Sequence, residues 1–300
     1  MQKAPVIYFI AGALAVAGLG WRTLAGSSDR IQPASDPVRE SVTVRPRTDG
    51  ASIPSSTEVS AETARKPSNA KEIGRQQLKA DFYSSKNLRV FVHEAMRRPA
   101  QGGYYYSTRA LQHCEFLPTL VELTKRAPTT NALANDRLRT ELDRCEGVVE
   151  QFGGIRGLAN NIEARSDRQQ DPLRTLSREL TENKFSDPEM AIGAALSSAE
   201  PELLKQALAI YGKQIIESNA GYRIEWNEKL KSLVGLAAAQ LARETLGDPL
   251  SEWTAATYCL LSGQCTANQN EIEQELANTK DRETLDSFKK LLRESLSRSK

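Results

Sequence analysis

Few residues in this chain of 300 are suited to acid–base, nucleophilic or metal chemistry: it has two histidines, His93 and His113, and four cysteines, Cys114, Cys145, Cys259 and Cys265. His113 adjoins Cys114, but neighbouring positions on a helix point about 100° apart and do not face each other. A thiolate–imidazole nucleophile is therefore not expected. His93 lies in NLRVFVHEAMRR beside Glu94 and reads as a residue of a helix surface. Zinc sites bring two cysteines within a C-x2-4-C knuckle, and no such spacing occurs here, nor do the histidines stand beside the cysteines. No catalytic residue, cofactor or metal is assigned from the sequence.

An even number of cysteines in a chain outside the cytosol reads as a disulfide framework. Four cysteines allow three pairings. Helix neighbours favour Cys114 with Cys145, stapling two adjacent antiparallel helices across a turn at Pro128-Thr129-Thr130. They favour Cys259 with Cys265, closing the Leu-Leu-Ser-Gly-Gln turn that follows a helix. Four free thiols facing the cytosol are the alternative.

The densest aromatic cluster is Tyr104, Tyr105 and Tyr106, behind Gly102-Gly103. Three consecutive helical positions fan over some 200°, so at least one ring is expected at the surface. With Arg109 one turn on, the cluster is a candidate binding patch. The run Gly153-Gly154-Ile155-Arg156-Gly157 lacks the lysine–serine ending of a phosphate loop and any strand before it, and reads as a helix connection.

The elements that position these residues are helices. Ala, Leu, Glu, Arg, Lys and Gln are plentiful, and such side chains lose little rotamer freedom in a helix. No stretch of alternating β-branched residues suggests a strand. Asp171-Pro172, Asp187-Pro188 and Asp248-Pro249 each set a capping carboxylate before a proline, and Glu200-Pro201 does so less well. These signals predict helices over 172–183, 188–197 and 201–216, joined by connections short enough to force antiparallel neighbours. Leu203, Leu204, Ala207, Leu208, Tyr211 and Ile215 share one apolar face. Leu285, Phe288, Leu291, Leu292 and Leu296 form another, behind a predicted cap at Asp281. Leu230, Leu233, Val234, Leu236, Ala237, Ala238 and Leu241 cover most of a circumference and predict a central buried helix. The fold class read from these patterns is all-α: antiparallel helix pairs in an α-superhelical or irregular bundle over 68–300.

Ahead of that body, Ala4 to Trp21 are uncharged and mostly apolar, close to the roughly 20 residues that span a bilayer. Trp21 and Arg22 suit the membrane interface. Residues 1–24 therefore read as a signal anchor, with a cleaved signal peptide as the alternative. Residues 25–67 hold five prolines (Pro33, Pro37, Pro46, Pro54, Pro67) with neither an aromatic residue nor a leucine. That composition cannot bury enough apolar surface to fold and is expected to be a disordered linker. Flexible-chain scaling gives it a mean span of roughly 40 Å. The formal charge is +2, and the basic excess sits at the front: eleven Lys or Arg face seven Asp or Glu over 1–80, against 29 and 31 beyond. A near-neutral body lacks the basic field of a nucleic-acid binder.

Several resemblances add to this reading. The hydrophobic start, polar linker and later Ala-Leu-x-x-Cys (110–114) and Cys-x5-Cys (259–265) helices resemble uncharacterised exported proteins of Gram-negative bacteria across about 70–300. That resemblance implies no activity. The short helix pairs look like α-solenoid modules of the tetratricopeptide or Sel1-like kind, though the tetratricopeptide signature at a 34-residue period is absent. YYYSTRALQHC (104–114) and DPLSEWTAATYC (248–259) share a faint internal likeness. Glu217-Ser218-Asn219-Ala220-Gly221-Tyr222 resembles the Glu-Ser start of lytic transglycosylases, a family in which that Glu is a general acid cleaving peptidoglycan. The family's later Gly-Leu-Met-Gln run has no counterpart here. The expectation is a cell-envelope binding or scaffolding module, on the inner membrane with a periplasmic domain, or periplasmic or secreted after signal cleavage. Its partner would be an envelope protein or peptide, with no nucleic acid. The alternatives are a peptidoglycan-cleaving enzyme using Glu217 and a structural domain without ligand.

Overall fold

A computed structural model describes residues 68–126, 131–221, 223–247, 249–262, 265 and 279–299. The expected anchor over 1–24, the linker over 25–67, the turn at Pro128–Thr130, the cap Asp248 and Tyr222 lie outside them. Among the described residues the chain is all-α, with no strand, and no helix is long and apolar enough to cross a membrane.

The helices, in chain order, are α1 (Ser68–Ser84), α2 (Leu88–Ala95), α3 (Gly103–Arg126), α4 (Ala132–Arg144), α5 (Val148–Phe152), α6 (Gly154–Glu163), α7 (Pro172–Thr181), α8 (Pro188–Ser197), α9 (Pro201–Ala220), α10 (Glu228–Leu246), α11 (Ser251–Ser262) and α12 (Thr279–Arg298). A single 3-10 turn at Pro99–Gln101 leads into α3.

Capping chemistry sets the boundaries. Asp171 accepts from the Arg174 N–H and Asp187 from the Glu189 N–H, each before a proline at the first helical position. Asn87, Asn131 and Asn227 cap α2, α4 and α10 in the same way. Glu200 precedes Pro201 but makes no capping bond, because its carboxylate is engaged elsewhere. Asp281 falls inside the first turn of α12 rather than before it, and pairs with Lys229 of α10.

The packing brings together helices that are distant in sequence as well as neighbours. Helices α8, α9, α10 and α12 form one group and α1, α2, α3, α5 and α6 another, with α7 touching α3, α8 and α9. One apolar core runs through both groups. Leu204, Leu208, Tyr211 and Ile215 of α9 and Leu285, Phe288, Leu292 and Leu296 of α12 are all buried in it. Where α9 meets α10, Gly212 lets Val234 close in; a β-carbon there would collide with the valine side chain.

The central helix is α3, which contacts α1, α2, α4, α5, α6, α7 and α11. Helix α10, expected to be central, buries Leu233, Val234, Ala237, Ala238 and Leu241 against α9 and α12 but leaves Lys231, Ser232 and Glu244 exposed. Its alanines allow close approach on one side only.

Helix α11 departs from chain order. It packs on α4 and the second half of α3, while α12 returns to α8, α9 and α10. The contact forms a small separate core of Leu117, Leu120, Ala134, Leu138, Trp253, Cys259 and Leu260.

Candidate functional site

The three tyrosines are interior residues, not a surface patch. Tyr104 is 0 %, Tyr105 7 % and Tyr106 1 % exposed. The expected surface ring fails to appear because α3 is surrounded, so each direction in the 200° fan meets a neighbouring segment. Tyr106 packs against Phe82 of α1, and its hydroxyl donates to Glu200 at the start of α9. Tyr104 reaches the loop after α6, donating to Asp167 while Arg165 donates to its oxygen at 2.6 Å. Arg109 is partly exposed and pairs with Glu202 at 3.3 Å, so the only member of the proposed patch that meets solvent is already engaged.

Each of these polar groups has a structural task. Burial lifts the Glu200 carboxyl above its ordinary value, against the opposing pull of the Tyr106 hydroxyl and the Lys79 ammonium. Lys79 lies 3.1 Å from that carboxylate and also donates to the Ala199 carbonyl, tying α1 to the start of α9. Burial, with the Asp167 carboxylate beside it, pushes the Tyr104 hydroxyl up to about 12. Asp167, hydrogen-bonded by Arg165 and Tyr104, is held down at about 2. Asp171 is 0 % exposed and serves two helices at once, accepting from the Tyr105 N–H of α3 and the Arg174 N–H of α7, each at 2.9 Å.

The cysteines join Cys114 to Cys145, with Cα atoms 5.3 Å apart, and Cys259 to Cys265, 4.4 Å apart. Both separations lie within the range a disulfide bridge needs. The first bridge links α3 to the end of α4. The second closes the turn after α11.

Beside the first bridge sits Glu141, 1 % exposed. It meets His113 Nε2 at 2.9 Å and Arg144 Nη1 at 2.7 Å, with Arg137 3.7 Å away. Burial pushes this carboxyl up, but the His113 hydrogen bond and the Arg144 charge outweigh it and hold it below 4.5. Arg144 also donates to the Ser85 and Phe82 carbonyls, and the Trp253 ring of α11 stands edge-on to His113 at 5.2 Å. The arrangement locks α1, α3, α4 and α11 together.

Above Glu141 lies an open depression of about 320 Å³, rimmed by Tyr83, Ser84, Ser85, Lys86, Arg137 and Thr140. The hydroxyl protons of Ser84, Ser85 and Thr140 already go to the carbonyls of Ala80, Asn87 and Asp136. The hollow is open, and its hydroxyl donors are already spent on these carbonyls.

A general acid working near neutral pH uses a carboxyl raised toward that pH, and Glu217 departs in the other direction. It accepts from the Trp226 indole at 2.7 Å and from the Ile224 N–H, and these bonds hold its carboxyl below the ordinary value. The adjacent Asn219 links α9 to α12, donating to the Leu291 carbonyl and accepting from Arg298. The glycine run at 153–157 is a helix connection: Gly153 and Gly154 both have φ of +68°. The free amide at the start of α6, on Ile155, is taken by Glu115 at 2.6 Å, where a phosphate loop would hold its ligand. His93 meets Gln151 and stacks near Phe152.

At Glu163, the last residue of α6, two arginines meet that sequence reading did not single out, with Arg178 one turn beyond Arg174 on α7. Arg174 donates to its Oε1, and Arg168 Nε lies 3.6 Å from its Oε2. The hydrogen bond from Arg174, joined by the charges of Arg174, Arg168 and Arg178, holds the Glu163 carboxyl below its ordinary value. The signal available in sequence was the i, i+4 spacing of Arg174 and Arg178, which puts both on one face of α7.

What the geometry defines is an all-α domain whose buried ionisable groups hold helices together. Compared with protein-family models, curated proteins and solved structures, the chain finds no match.

Proposed function

We propose that the chain is a binding or scaffolding module of the cell envelope. In this reading residues 1–24 anchor it in the inner membrane, residues 25–67 space it away, and the helical body faces the periplasm. The observation that carries the reading is the Cys114–Cys145 bridge between α3 and α4. Protein disulfides persist in oxidising compartments, so the bridge supports export of the body. The buried carboxylates support binding over catalysis, since Glu141, Glu200 and Asp171 each serve as joints between helices.

A carboxy-terminal alkaline phosphatase fusion tests the location, because that reporter is active only where disulfides form. It is expected to be active. An inactive phosphatase beside an active cytosolic reporter would overturn the envelope assignment. For the binding role, photo-crosslinkers placed around the body in intact cells are expected to capture a protein or peptide from one face, with other faces silent. Uniform silence would leave a structural domain without ligand.

A further inference from the structure

Glu163 and its three arginines offer the body's clearest opening for a partner. Glu163 closes α6, Arg168 lies in the following loop, and Arg174 and Arg178 stand one turn apart on α7. The carboxylate is 55 % exposed, whereas Arg174 is 18 % exposed. Arg178 forms no ion pair among the described residues, and its Nε is buried without a hydrogen-bond partner. Two neighbouring acids have partners of their own: Asp167 pairs with Arg165 and Tyr104, and Glu182 with Lys184. Two guanidinium groups thus meet on a single carboxylate supplied by the chain itself, and Arg178, one turn further along α7, keeps an unmet buried donor. Guanidinium forks match carboxylates in geometry and charge, so the site already shows which group it grips. Glu141 is the contrast. It too is ringed by cations, but at 1 % exposure it cannot leave. Glu163 can swing into solvent.

We propose that Arg168, Arg174 and Arg178 receive a carboxylate from an acidic segment of a partner protein, with Glu163 as the internal stand-in that the partner displaces. This rests on the binding-module reading and names the partner's chemistry. A stand-in lowers apparent affinity by the fraction of time it occupies the seat. Removing its charge should therefore tighten binding, while removing the arginines should weaken it.

The test uses the full chain reconstituted in neutral phosphatidylcholine vesicles, with labelled hexaglutamate as probe and hexaglutamine as control, read by co-flotation. Hexaglutamate is expected to float with the wild type and hexaglutamine not. Glu163→Gln should raise the affinity several-fold; a misfolded variant could not produce that gain. Arg174→Ala with Arg178→Ala should lower it at least tenfold, and Arg168→Ala, at a more exposed position, should lower it less. Binding should weaken as salt rises. The inference is overturned if the wild type does not bind hexaglutamate, if the arginine variants bind it as well as the wild type, or if Glu163→Gln binds it more weakly. Binding that appears only with phosphatidylglycerol vesicles and no peptide would also overturn it, by assigning the arginines to a lipid surface. A partner crosslinked in cells from another face, together with no hexaglutamate binding, would remove this inference and leave the binding-module reading in place.

Discussion

The two apolar cores of this molecule are held by different means. The larger runs through α1–α3 and α5–α10 to α12 and is built from fully buried aliphatic and tyrosine side chains. The smaller, between α3, α4 and α11, has seven buried members among the described residues, one of which is a bridged cysteine. Cys145 and Cys265 pack against its edge, while Cys114 belongs to the larger core. One disulfide therefore ties the small core to the large one, and the other fixes the end of the helix that covers it. Among the described residues the small core is thus tied down covalently as well as by apolar burial.

That contrast can be broken most decisively at the first bridge. Its cysteines are 31 residues apart, and the chain-entropy account assigns such a loop roughly 3–4 kcal/mol, against about 2 for the 6-residue separation of the second. Replacing Cys114 and Cys145 together by alanine should lower the urea midpoint more than replacing Cys259 and Cys265 together. The reverse order would mean that the turn after α11, not the α3–α4 link, sustains the small core.

Burial offers the next test. Leu208→Ala in the large core removes a side chain that is 0 % exposed and should cost about 3 kcal/mol. Leu138→Ala, at 8 % exposure in the small core, should cost about 2 and raise amide exchange in α11 before it does so in α9. Equal protection loss in both helices would show that the cores unfold as one.

Acid should separate the regions more gently. Glu141, at the joint between the cores, has its carboxyl held low when folded. Its contribution is present above its unfolded value and is lost as pH falls through the folded one. Glu200, in the large core, is raised. Its linkage has the opposite sign: stability is full below the unfolded value and declines as pH rises through the folded one. Denaturation midpoints compared at pH 7 and pH 3 should fall less for Glu141→Gln than for the wild type. A Glu200→Gln variant should lose the gain the wild type makes on mild acidification. Identical pH profiles for both variants and the wild type would remove the electrostatic side of the contrast.

Local chemistry was readable in the sequence and tertiary choice was not. Asp171-Pro172 and Asp187-Pro188 announce helices because cap and proline act within one turn. The apolar faces of α9 and α12 are equally local. The burial of Tyr104, Tyr105 and Tyr106 depends instead on how many helices surround α3, which no pattern within 103–126 records. The diversion of α11 to α4 depends on which apolar stripe finds which, and Leu260 and Leu138 look like any other core leucines. Asp171 was legible as the cap of α7, but its second bond to the α3 backbone was not. The seat around Glu163 needed three segments to come together before its arginines could be seen as a set.

The detour of α11 bears on the order in which the protein can be finished. Its platform on α4 is synthesised more than a hundred residues before Trp253 and Leu260 arrive to cover it. A chain emerging amino end first therefore carries Leu117, Leu120 and Leu138 uncovered while more than a hundred further residues are added. Contacts so distant in sequence form slowly, because the intervening loop must close first. Until then the nascent α3–α4 pair is an adhesive surface, the stage at which holdase chaperones and premature aggregation compete for the chain.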